Sequence, residues 1–133
     1  MTNTATRAAT PQWLLQIFEE IDAQKFGEGF SHMTEDTDLY LGTAHVHGVE
    51  AIKEFFLEIN RDLNVTHRAI ESWTAEGGVC LTRLEATVAK KAEPDKVVRA
   101  PSVNVAYLEE GEPVRIKTMY VTAGPVDPAA KII

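Results

Sequence analysis

Hydrophobic positions fall into two helical stripes followed by a series of period-two segments. Trp13, Leu14, Ile17, Phe18 and Ile21 recur at helical spacing behind Thr10-Pro11, which predicts a helix from Pro11 to about Ala23. Thr10 can cap it, and proline suits the first helical position. Phe26 and Phe30, four apart between Gly27 and Gly29, predict a short second helix within Lys25–Met33 that the glycines weaken. Asp36–Leu41 reads as a strand, and Gly42–His47 as a loop or a second short strand. Gly48 then serves as N-cap for a helix from Val49 to about Leu63, striped by Ile52, Phe55, Phe56 and Ile59.

From Val65 onward the alternation of strands takes over. Val65–Thr74 and Val79–Lys91 predict two strands joined at Glu76-Gly77-Gly78. Glu93-Pro94-Asp95-Lys96 reads as a turn into a third strand, Val97–Leu108, in which Pro101 belongs at a bulge or an edge. Glu109-Glu110-Gly111-Glu112 turns into a fourth, Val114–Thr122. The domain is expected to span residues 11–123, after a flexible N-terminus (1–10) and before a C-terminal tail (124–133). Helices first and an antiparallel meander after imply an α+β domain. Its strongly curved sheet closes over the N-terminal helices and leaves a cavity.

Composition narrows the function classes. The 133 residues carry a formal net charge of −7, and no basic run exceeds Lys90-Lys91, so phosphate neutralisation on a nucleic acid is not expected. No apolar run approaches the ~20 residues of a membrane span, and Met1–Thr10 lacks the apolar core of a secretory signal. The single cysteine, Cys80, fits a reducing compartment, so the expected location is the cytoplasm.

The chain resembles the NTF2-like superfamily, and within it the SnoaL-like proteins with ketosteroid isomerase as a cousin. The resemblance is carried by Ile21-Asp22 ending the first helix and Thr34-Glu35-Asp36 opening the first strand. His47-Gly48 before Ala51-Ile52 and Phe55-Phe56, and the terminal Ile116-Lys117-Thr118-Met119-Tyr120, complete it. It covers roughly residues 11–123. It implies a cystatin-like cone: a bent antiparallel sheet with three helices on its concave side, often dimerised through the outer sheet face. Members of the superfamily include cyclases, isomerases, epoxide hydrolases, dehydratases and non-catalytic binding domains.

The isomerase relies on an aspartate base, with a tyrosine and a protonated aspartic acid as oxyanion donors. Aligned on the resemblance, the base falls near Leu41 or Tyr40, the tyrosine at Phe18 and the acidic donor at Asn104, so isomerase chemistry of that type is not expected. Epoxide-hydrolase relatives use an Asp-Arg-Asp set. Arg83 and Glu85 imitate part of it, but alternation puts them opposite Thr82, Leu84 and Ala86, on a solvated or dimer face.

His67 alternates with Val65, Ala69 and Trp73, and is either a hydrogen-bonded core residue or a pocket acid/base. Asn104, between Ser102 and Ala106, needs a partner for its amide, which is a ligand oxygen, a backbone group or water. Tyr40 is read onto the outer face. His45, His47 and His67 show no spacing that makes them converge on a metal, so no metal and no cofactor are expected.

The leading expectation is a SnoaL-like enzyme doing cofactor-independent acid/base chemistry on an apolar carbonyl compound. His67 and Asn104 would be its catalytic groups. Trp13, Phe18, Leu41, Phe56, Thr82, Leu84, Ser102 and Met119 would line the substrate site. A non-catalytic ligand-binding or dimerisation module is the alternative. The expected partners are a small apolar ligand and a second copy of the chain.

Overall fold

A computed structural model describes residues 6–122 of the chain. Its elements are β1 (Thr6–Ala8), α1 (Gln12–Ala23), a 3₁₀ turn (Gly29–His32), β2 (Met33–Leu41), β3 (Ala44–His47), α2 (Val49–Ile59), β4 (Leu63–Ala75), β5 (Val79–Lys90), β6 (Glu93–Leu108) and β7 (Ile116–Val121). The strands form one sheet in the order β1-β4-β5-β6-β7-β2-β3. Every neighbouring pair is antiparallel except β2 and β7, which run parallel, so the sheet is mixed rather than wholly antiparallel. The α+β architecture is that expected, with both helices on one face of the sheet.

Both helices bury the centre of the stripes that predicted them, while Trp13 and Phe55 are half-buried and Ile59 is exposed. Leu14, Ile17, Phe18 and Ile21 of α1 and Ile52 and Phe56 of α2 are all buried. Removing such side chains from water contributes about 1.5–3 kcal/mol each. They close over an inner sheet row in which Cys80, Ala106, Met119 and Leu39 are successive cross-strand partners, all buried. Gly48 caps α2 with φ +90°, a conformation that favours glycine.

Several local expectations change. Pro11 is the N-cap of α1, not its first residue. Thr10 does not cap; its hydroxyl bonds Ser72 Oγ at 2.7 Å. Residues 6–8 pair with Ser72–Thr74 of β4 instead of fraying. The second helix shrinks to a 3₁₀ turn, because the chain there is shaped by Glu20 rather than by helical bonding. Glu20 is buried, and its two oxygens accept the backbone N–H groups of Gly27 (2.7 Å), Gly29 (2.7 Å) and Phe30 (3.1 Å). Helix α2 stops at Ile59 and β4 begins at Leu63. The turn before β6 is Lys91-Ala92, and Pro94 lies inside the strand. Pro101 pairs with Glu85 where β6 has run beyond the end of β7, an edge position that needs no N–H on that side. The tail expected at 124–133 lies outside the described residues.

The largest change is in β4. Its register against β5 shifts between Ala69 and Glu71, so Ile70 is an extra residue that reverses the alternation. Ser72 therefore points inward, fully buried against Thr82 (Oγ to Oγ1, 2.8 Å), and Trp73 moves off the face it was expected to share with His67. Trp73 instead starts an outer row of cross-strand neighbours: Trp73, Leu81, Val105, Tyr120, Tyr40 and His45.

Candidate functional site

The end of α1 and the middle of β4 build the site. Asp22 sits in the last turn of α1, which packs on β4. Its Oδ2 accepts the backbone N–H of His67 at 2.9 Å, and its Oδ1 accepts the ring Nδ1–H of the same residue at 2.6 Å. An ionised carboxylate only accepts, so the neutral ring carries its proton on Nδ1 and leaves a lone pair on Nε2. The two side chains are 18% and 20% exposed, which leaves the pair partly dehydrated. Phe18 stacks on the imidazole, with ring centres 5.7 Å apart and planes at 23°. One carboxylate and one aromatic ring thus fix the tautomer and the plane of His67.

His67 opens into a cavity between α2, the ends of α1 and β7, and the inner face of β4–β6. The cavity has a volume of about 110 Å³ and opens to solvent. Its walls are largely apolar: Ile21, Leu41, Phe56, Ile59, Leu63, Val65, Ala86, Val88, Val98, Ala100, Pro101 and Val121. Among the described residues the polar lining consists of His67, Asn60, Ser102 and Thr122, with no lysine, arginine or carboxylate. Ser102 Oγ donates to the Thr122 carbonyl at 2.9 Å, and Thr122 Oγ1 accepts the Val103 N–H at 2.8 Å, which uses the Ser102 proton and leaves that of Thr122 free among the described residues. A hydrogen bond or proton transfer at His67 Nε2 would take place against low-dielectric walls, where it is strengthened.

Of the residues expected at the site, His67, Leu41, Phe56 and Ser102 meet at this cavity. The others do not line it. Asn104 is 1% exposed and lies deeper in the sheet, between Thr82 and Val121 in the inner row. It was placed on the correct face, but alternation fixes a face and not a depth. Its Oδ1 is the one fully buried side-chain oxygen or nitrogen without a partner among the described residues. Thr82 is spent on Ser72, and Leu84 and Met119 are core. Phe18 acts behind His67 rather than on the cavity wall. Trp13 packs at the edge of the core, its ring centre 6.0 Å from that of His32.

In the sequence Asp22 stands out only within the family-like segment Ile21-Asp22, and Asn60 carries no signal of its own. An acidic residue in a helix's last turn reads as solvated, and only the pairing of α1 with β4 gives it a partner. Burial pushes the Cys80 thiol up, a hydrogen bond with Thr82 opposing it only in part, so it stays protonated and unreactive.

On the outer face, Arg83 and Glu85 bond their cross-strand neighbours rather than each other. Arg83 Nε donates to Glu71 at 2.8 Å, and Arg68 lies 3.5 Å from Glu85. At the sheet edge, His45 Nε2–H and His47 Nδ1–H both donate to Asp38 Oδ1 at 2.8 Å. Among the described residues no group of three or more His, Cys, Asp or Glu is arranged to hold a metal ion. No described helix is long and apolar enough to cross a membrane.

No protein-family model matches the sequence, and no curated protein matches it. Solved structures match its architecture closely. An NTF2-like protein of unknown function from an Exiguobacterium species superposes with a TM-score of 0.67 at 17% identity, over 83% of this chain and 96% of that one. The chain has the NTF2-like fold. A candidate polyketide cyclase from Xanthomonas campestris pv. campestris aligns with a TM-score of 0.71 at 12% identity, over 84% and 87% of the two chains. A protein of ketosteroid isomerase-like fold from Catenulispora acidiphila, solved with trimethylamine, gives 0.68 at 14% identity over 85% of each. Identities this low establish the fold of this NTF2-like chain, and its chemistry has to be argued from its own cavity.

Proposed function

We propose that this chain is a small SnoaL-like enzyme that moves protons on a mostly apolar carbonyl compound, with His67 as its acid/base and no cofactor. The observation that carries the reading is the Asp22–His67 pair at an otherwise apolar cavity. Asp22 orients the ring and stabilises the imidazolium formed when Nε2 takes a proton. Nε2 then returns the proton to carbon or oxygen, completing an isomerisation, aldol closure or dehydration step. The polyketide-cyclase likeness of a structural neighbour agrees with carbonyl chemistry.

Exchange of the α-protons of α-tetralone in D₂O, followed by proton NMR, tests it. His67→Ala should slow protein-catalysed exchange by about 10²–10⁴-fold with the fold intact, the range expected for one general acid/base. Asp22→Asn should slow it less, because His67 keeps its ring but loses its orienting charge. Exchange by His67→Ala at the wild-type rate would refute the assignment.

A non-catalytic binding module is the second reading. It is favoured by Leu41, an apolar residue where the isomerase-type base would stand. That reading requires α-tetralone to bind without accelerated exchange.

We also propose a homodimer through the outer sheet face, supported by the row from Trp73 to Tyr40. Tyr107 and Tyr120 are 41% and 45% exposed there, and Tyr40 and Tyr120 stack at 4.9 Å. The reducing environment that suits a lone buried cysteine supports placing the protein in the cytoplasm.

A further inference from the structure

We infer that Asn60 is the ligand-orienting residue of the cavity, and that its carboxamide selects a neutral, oxygen-bearing, otherwise apolar molecule. The inference rests on the cavity being a ligand site, as proposed above, but not on catalysis. Asn60 follows the last residue of α2 and lines the cavity while only 7% exposed. Its backbone is fully committed. The N–H donates to Phe56 O at 3.1 Å, and the carbonyl accepts from Leu63 N at 3.1 Å and from Gln24 Nε2 at 2.7 Å. Its side-chain amide bonds no other described residue, and neither amide atom is a fully buried orphan among the described residues. A largely buried amide without a protein partner, on a cavity wall, is matched to something that enters the cavity.

The placement is built rather than incidental. The last turn of α1 supplies Asp22 to hold His67. Two residues later Gln24, at φ +57°, ends the helix and reaches across to hold the Asn60 backbone. One helix end therefore fixes both the imidazole of His67 and the backbone of Asn60. Among the described lining groups Ser102 has given its proton to the Thr122 carbonyl, so a ligand oxygen finds the Asn60 amide and the Thr122 hydroxyl proton as donors, and His67 Nε2 as an acceptor. The amide can donate to a ketone oxygen or accept from an enol hydroxyl, so it serves both tautomers of such a molecule. It offers no charge, and no cation lines the cavity among the described residues, so a carboxylate entering there would lose its hydration without compensation from them.

The test uses three probes of one shape: α-tetralone, tetralin and tetralin carboxylate, titrated into the full chain by NMR. The wild type should bind the ketone about threefold to tenfold tighter than the hydrocarbon, the span of one neutral hydrogen bond. It should bind the carboxylate more weakly than either. The Asn60 side-chain amide signals should move with the ketone. Asn60→Leu should erase the ketone preference while leaving tetralin binding in place, and Asn60→Asp, isosteric at the helix end, should erase it too. If either variant keeps the full ketone preference with tetralin still bound, Asn60 is not the orienting residue, although the cavity remains a ligand site. If no probe binds the wild type, the ligand-site reading falls and this inference with it.

Discussion

Replacing Glu20 by glutamine should cost far more than a surface change, and the cost can be worked from the bonds it makes. Oε1 accepts from Gly27 N and Phe30 N, and Oε2 accepts from Gly29 N and from Gln16 Nε2 at 2.9 Å. In Glu20→Gln one oxygen becomes an NH₂ group. The arrangement that loses least keeps oxygen toward Gly27 and Phe30 and turns nitrogen toward Gly29 and Gln16. Gln16 can flip its own amide to accept, but the Gly29 N–H cannot. One buried N–H is then left facing a donor, at about 1–3 kcal/mol, and the surviving bonds lose their charge assistance, for a total of about 2–4 kcal/mol.

The same bonds set a pH dependence. Burial pushes the Glu20 carboxyl up, but the hydrogen bonds from Gly27, Gln16, Gly29 and Phe30 outweigh it and hold the group below its ordinary 4.5. A folded-state value below the unfolded one contributes stability above the unfolded value, and that stability is lost as pH falls through the folded one. Urea unfolding followed by circular dichroism at pH 7 and at steps down to pH 3 should show the difference between wild type and Glu20→Gln constant at neutral pH. It should shrink below about pH 4.5 as the wild-type carboxyl also takes a proton. A cost under about 1 kcal/mol at pH 7, or a difference unchanged by acid, would refute the argument.

The neighbouring glycine gives a second check. A Cβ at Gly29 would lie 2.8 Å from Glu20 Oε2, 2.9 Å from Ile17 N and 3.0 Å from Gln16 C, atoms that the helix backbone largely fixes. Gly29→Ala should therefore destabilise by about 1–3 kcal/mol in thermal unfolding, while Gly27→Ala, with its nearest neighbour at 3.8 Å, should fall well short of that. At the sheet edge, the hydrogen bond to Asp38 and then its charge hold His47 above its ordinary 6.5, so the contact is complete at lower pH and fades as pH rises through that raised value. An NMR titration of the His47 ring should show this, and Asp38→Asn should return the midpoint downward. No change in the variant would remove Asp38 as the cause. Tyr120→Lys, placing charge in the outer aromatic row, should convert a dimer to a monomer in sedimentation equilibrium without lowering helix content. A wild type that is already monomeric would dismiss the dimer proposal.

Much of the architecture was legible because each half of the chain keeps one hydrophobic period. The stripe of α1, the core of α2 and the four long strands all follow from apolar spacing. The misreadings cluster where a tertiary contact overrides a local rule. Ile70 reverses β4 without any glycine or proline to announce a bulge, which is why Ser72 and not Trp73 faces inward. Pro94 looks like a turn, but Lys91-Ala92 turns the chain and leaves the proline in the strand. Gly27–Phe30 looks like a faint helix until Glu20, seven to ten residues earlier, takes its N–H groups. The site divides in the same way. His67 was visible as a polar residue among apolar same-face neighbours, while Asp22 and Asn60, at helix ends where polar residues are ordinary, were not. Asn104 shows the complementary error, a correct face with the wrong depth.

The parallel pairing of β2 with β7 has a consequence for the order in which the molecule can be assembled. The hairpins β4–β5 and β5–β6 close locally as they emerge, but β2 and β3 have no sheet to join until Ile116–Val121 is made. Thr37 shows the delay most directly: its buried hydroxyl donates to the Ile116 carbonyl at 2.6 Å, a partner 79 residues further along. On a ribosome, α1 could dock once β4 is made, but α2, which packs on β2 and β3, would wait for Ile116–Val121 before its strands join the sheet. Strand β7 is thus a latch that joins β2 and β3 to the strands made between them. A truncation before Ile116 should lose cooperative folding altogether rather than merely shorten the sheet, and a chaperone would have its longest opportunity in that interval.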